Sequence, residues 1–90
     1  MSESDRSSDF GAKMKRLREQ RGVSLRKIAD TTKISVATLE ALERNEVKRL
    51  PGGIFTRAIV RAYAEEIGID AESAVREFVH QFPQEAPVSF

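Results

Sequence analysis

Apolar residues recur along this chain at helical spacing in five separated runs, so the expected fold is all-α. The first run places Phe10, Met14, Leu17 and the stem of Arg21 on one side, with Lys13, Lys15, Arg16 and Arg18 covering the other faces. Ser8 or Asp9 can cap its start, and Gly22 stops it. A second, shorter run turns Leu25, Ile28 and Ala29 inward behind the cap Ser24 and runs out at Thr31 and Thr32, residues that hold helices poorly. Ser35 caps the third, whose stripe is Val36, Leu39 and Leu42. Only Thr32, Lys33 and Ile34 connect these two short helices, and so tight a turn makes them cross steeply.

Leu50-Pro51-Gly52-Gly53 reads as a hinge or linker within one domain, because proline removes a donor and the glycines loosen the backbone. The fourth helix is expected from about Ile54 to Ile67, with Ile54, Phe55, Ala58, Ile59, Ala62, Tyr63 and Ile67 facing inward and Gly68 closing it. Asp70 caps a fifth that buries Ala74, Val75, Phe78, Val79 and Phe82. Residues 1–8 are polar and aperiodic, and Pro83 opens a loose tail to Phe90. The expected organisation is a disordered lead-in over 1–8, one domain over 9–82 and a flexible tail over 83–90.

Ninety residues allow one modest core. No apolar run approaches the roughly 18 residues that span a bilayer, and the polar start is unlike a secretory signal. Without cysteine there is neither a disulfide framework nor a thiolate metal site, which suits a reducing cytoplasm, the expected location. The net charge of +1 hides an asymmetry: residues 1–61 carry fourteen Lys and Arg against eight Asp and Glu, whereas residues 62–90 carry one against six. A polyanion would meet the first two thirds of the chain and be repelled by the rest.

Two helices of about eight residues joined by a tight turn let the second enter a major groove while the first crosses the phosphate backbone. LREQRGVSLRKIADTTKISVATLEALERN resembles the phage-repressor-like (XRE) helix-turn-helix family, which implies a five-helix lambda-repressor-like domain with a central helix-turn-helix. SLRKIADTTKISVATLEALE followed by LPGGIFTRAIVRAYAEEIGID is similar to the cytoplasmic domain of the RodZ family, whose members bind the actin-like filament protein MreB in cell-shape control. The repressor-like family usually has Gln where this chain has Leu25, and Gly where it has Lys33.

The leading expectation is a DNA-binding, transcription-regulator-type module. Arg26, Lys27, Lys33, Arg44 and Lys48 are placed for phosphate contacts, and Ser35, Val36, Ala37 and Thr38 stand where base edges are read. None of those four is Arg, Lys, Asn or Gln, the side chains that read bases best, and Glu40 and Glu43 repel phosphate, so discrimination among sequences should be weak. The alternative implied by the RodZ resemblance is a docking surface for an actin-like filament on the fourth helix. There Thr56, Arg57, Val60 and Arg61 are exposed candidates, with Phe55 and Tyr63 as aromatics more readily assigned to the core. No enzyme, cofactor or metal is expected: His80 has no second ligand at metal spacing, and Gly52-Gly53 lacks the Lys-Ser/Thr of a phosphate loop.

Overall fold

The computed structural model describes residues 9–83 and builds them from five helices: α1 Phe10–Gln20, α2 Leu25–Thr32, α3 Val36–Glu43, α4 Gly53–Ile67 and α5 Ala71–Gln81. A 3-10 turn at Val47–Arg49 links α3 to α4. The expected lead-in over 1–8, and the expected tail beyond Pro83, lie outside the described residues.

Four of the helices begin on a side chain that accepts one of the otherwise unpaired first-turn N–H groups. Asp9 accepts from Ala12 at 3.0 Å and Ser24 from Lys27 at 3.0 Å. Ser35 accepts from Thr38 at 3.1 Å and Asp70 from Ser73 at 2.8 Å. The Ser73 backbone N–H holds the Asp70 carboxyl below its ordinary value. At the other end of α2, Lys33 takes the left-handed conformation with φ 67° and returns its N–H to Ala29, which explains the glycine usual at this position in the repressor-like family.

The helices close around Met14, Ile28, Leu39, Leu42, Val60, Tyr63, Ile67 and Phe78, with Phe10 meeting Phe78 edge-on at 5.5 Å. The first turn of α1 lies directly on the end of α3. A Cβ on Gly11 would stand 2.3 Å from the Glu43 carbonyl oxygen, so only glycine permits the approach. Asn45, itself at φ 60°, locks the contact: its Oδ1 accepts the Gly11 N–H at 2.9 Å and its Nδ2 donates to Asp9 at 2.6 Å.

The expected face of α4 and the expected loose hinge before it both need correction. The inward face of α4 is Thr56, Val60, Tyr63, Ala64 and Ile67, whereas Ile54, Phe55 and Ala58 face solvent and Ile59 and Ala62 are half-buried. Thr56 sets this phase. It is fully buried, and its Oγ1 accepts the Gly52 N–H at 2.6 Å, tying the Pro51–Gly53 turn to the helix that follows. That turn, with Gly52 and Gly53 both at positive φ, is therefore a pinned corner and not a loose hinge.

A third correction concerns charge. Arg18, expected on a solvated face of α1, has a side chain only 11% exposed, and Glu43, expected to repel phosphate, is buried. The Arg18 fork grips the Glu43 carboxylate at 2.6 and 3.1 Å and also donates to the Val23 carbonyl at 2.9 Å, while the Tyr63 hydroxyl donates to the same carboxylate. A carboxylate taken out of water persists only when so paired. Glu43 thus joins α1, α3 and α4 and presents no charge to a ligand. Burial first, then the bond to Glu43, pushes the Tyr63 hydroxyl well above its ordinary value, and the Glu43 bond raises Arg18 further.

Candidate nucleic-acid interface

The turn between α2 and α3 is built from local bonds. The Thr32 hydroxyl donates to the Ile28 carbonyl at 2.7 Å and accepts the Ile34 N–H at 3.2 Å, holding the chain as it leaves α2. Ile28 and Leu39 are both fully buried, so the facing sides of the two helices are spent on the core. What remains outward is the start of α3: Ser35 and Ala37 are exposed, and Val36 and Thr38 are half-buried.

The cap narrows what this edge can read. Ser35 Oγ accepts the Thr38 N–H and lies 2.9 Å from Thr38 Oγ1, to which it donates. Thr38 keeps its own hydroxyl hydrogen for a partner, Ser35 has none left, and Val36 and Ala37 offer only carbon. Such an edge suits a thymine methyl and one hydrogen bond, without the paired donors and acceptors that separate one base pair from another.

All five cations expected to touch phosphate are exposed. Arg26 and Lys27 stand in the first turn of α2, Lys33 in the turn, Arg44 at the C-cap of α3 and Lys48 in the 3-10 turn. Among the described residues none of them forms an ion pair, in contrast to Lys13 with Glu77, Arg49 with Glu46 and Arg61 with Glu72. The fold adds Lys15, which helical periodicity places among the solvated residues of α1. It lines a cleft between α1, α2 and α3 together with Leu25 and Arg44. Only packing brings residues 15 and 44 together, so nothing local in the sequence could have shown it. Glu40 lines the same cleft and is the acidic residue that still faces outward there, Glu43 being neutralised.

On the alternative surface the side chains part company. Thr56, Val60 and Tyr63 are buried, while Phe55, assigned to the core, is 69% exposed beside Ile54 at 63%. Arg57 and Arg61 are half-buried on the flank of α4 that meets α5. Among the described residues no group of three or more His, Asp or Glu gathers as a metal site would require. No helix there is long and apolar enough to cross a membrane.

The helix pair, its tight turn and the outward start of α3 define a helix-turn-helix. Residues 13–74 match the model of the family described as "Helix-turn-helix domain", and the chain belongs to that family. An uncharacterized membrane protein of Bacillus subtilis (strain 168), YmfM, is 34% identical over 61 residues, covering 68% of this chain and 21% of that protein. The chain therefore spans well under two thirds of this relative's length. No solved structure matches the chain.

Proposed function

We propose that this domain binds duplex DNA as a cytoplasmic, regulator-type module, gripping phosphates strongly and reading bases weakly. The observation that carries the reading is the exposed start of α3 flanked on both sides by exposed cations free of ion pairs among the described residues. Arg26, Lys27, Lys33, Arg44 and Lys48 supply the phosphate contacts, and Ser35, Val36, Ala37 and Thr38 meet the groove. With about five phosphates neutralised, log affinity should fall by roughly 4.5 per log unit of salt. Between 50 and 200 mM salt that is a loss of roughly 500-fold in a fluorescence-anisotropy titration of a labelled duplex. Arg26→Glu with Arg44→Glu should abolish binding while helical circular dichroism is retained. No binding by the unaltered chain at the lowest salt would end this reading.

A second reading is favoured by the exposed Ile54 and Phe55 pair: docking of α4 onto a protein filament of the actin-like kind, with Arg57 and Arg61 at the edge of the contact. The membrane description of the Bacillus subtilis relative supports a domain working at the inner face of a membrane as part of a longer chain. Ile54→Ser with Phe55→Ser should then abolish co-sedimentation with an MreB-type filament and leave duplex affinity unchanged. Loss of duplex affinity in that variant, with co-sedimentation intact, would refute the second reading.

A further inference from the structure

α4 and α5 fold back on each other through the short connection Gly68–Asp70, and their flank shows a charge pattern that is satisfied at one turn and reversed at the next. Arg61 offers Nε and Nη2 to the two oxygens of Glu72, each at 3.2 Å, so α4 supplies the fork and α5 the carboxylate. Four residues earlier on α4 stands Arg57, and four residues later on α5 stands Arg76. In a helical hairpin these positions face each other one turn further from the connection, so Arg57 meets a cation where Arg61 meets an acid.

The consequence is visible at Arg57. Its Nε is buried and has no hydrogen-bond partner among the described residues. An unmet buried donor on a charged group is costly, and a carboxylate accepting from it would relieve the cost. The groove beside it, about 510 Å³, is lined by Arg57, Val75, Arg76, Val79 and His80 and contains no acid. Arg76 is held over it by a bond of 3.0 Å to Ser73 Oγ.

We propose that this groove docks an acidic, apolar peptide segment of a protein partner, one carboxylate pairing with the Arg57 fork and a neighbouring aliphatic side chain lying on Val75 and Val79. Charge complementarity calls for an anion, and the apolar floor calls for carbon attached to it. The groove is open on its outer side, which suits an inserted side chain better than a free small molecule needing enclosure. Nucleic acid fits poorly, because its phosphate backbone carries no aliphatic group to lie on the two valines. The site lies on the α5 side of α4. Phe55, two residues before Arg57 and so about 200° round the helix, belongs to another face. The inference therefore does not depend on the α2–α3 surface, and it shares Arg57 with the reading of α4 as a docking helix.

The test is a titration of the whole chain, followed by nuclear magnetic resonance, with a short peptide alternating glutamate and leucine. Peptides of glutamine and leucine, and of glutamate alone, serve as controls. The Arg57 Nε–H and the Val75 and Val79 methyl resonances should move together and saturate. Arg57→Gln should weaken binding about tenfold or more, the value of a charge-assisted bond, and Arg57→Lys should restore only part of it. Val79→Ser should weaken binding without altering the response of Arg57 to its anion. Circular dichroism confirms that each variant is folded. The proposal is overturned if the glutamine–leucine or all-glutamate peptide binds equally well, if Arg57→Gln leaves affinity unchanged, or if a DNA duplex moves these resonances and the peptide does not.

Discussion

Replacing Arg18 by Met keeps most of the side chain's volume and removes the cation that holds Glu43. The carboxylate, only 5% exposed, would be left with the Tyr63 hydroxyl as its side-chain donor, and the Val23 carbonyl would lose its bond at 2.9 Å. Breaking a buried ion pair on one side costs about 3–5 kcal/mol, because the remaining charge stays desolvated. A domain of this size has roughly 4–13 kcal/mol of stability in all, so the loss should lower the melting temperature by more than about 12 °C. If an uncompensated charge is the cause, removing the charge must cure it. Arg18→Met with Glu43→Leu should recover much of the loss but leave the Tyr63 hydroxyl unmet, at about 1–3 kcal/mol. Adding Tyr63→Phe should bring the triple variant within about 1 kcal/mol of the starting protein or above it. Urea titrations followed at 222 nm read all four proteins. If Arg18→Met costs less than about 1 kcal/mol, or the triple variant is no better than the single one, the pairing does not hold α1, α3 and α4 in the way described.

Gly11→Ala sets a Cβ against the Glu43 carbonyl and should destabilise by about 1–3 kcal/mol despite the better helix propensity of alanine; a rise in melting temperature would show that the helices are not in contact there. Lys33→Gly should stabilise by about 0.5–1 kcal/mol in the same urea assay by relieving a side chain at φ 67°, while costing one phosphate contact in the duplex titration. The Tyr63 hydroxyl titrates above its unfolded value, so its contribution is fully present below pH about 10 and is lost as pH rises towards the folded value. Stability should therefore fall through the alkaline range by up to about 1.4 kcal/mol per pH unit, and this component should be missing in Tyr63→Phe.

The five helices and the caps Ser24, Ser35 and Asp70, with Asp9 as one of two candidates for α1, were legible in the sequence because they rest on interactions within a few residues. The same holds for the tight turn before Ser35 and for the basic set around it, whose members lie in short, recognisable segments. The phase of α4 was not legible. Counting apolar residues gives Ile54 and Phe55 the weight that belongs to Thr56, a polar residue buried because its hydroxyl answers the Gly52 N–H. Nor could spacing distinguish Arg18 and Glu43 from their solvated neighbours, since a charge is buried or exposed according to what stands opposite it 25 residues away. The approach at Gly11, the meeting of Lys15 with Arg44, and the unmatched Arg57 facing Arg76 have the same origin. Local bonds and periodicity belong to the chain, whereas the pairing of charges and the choice of which apolar face is covered are decided only when helices remote in sequence pack and exclude water between them.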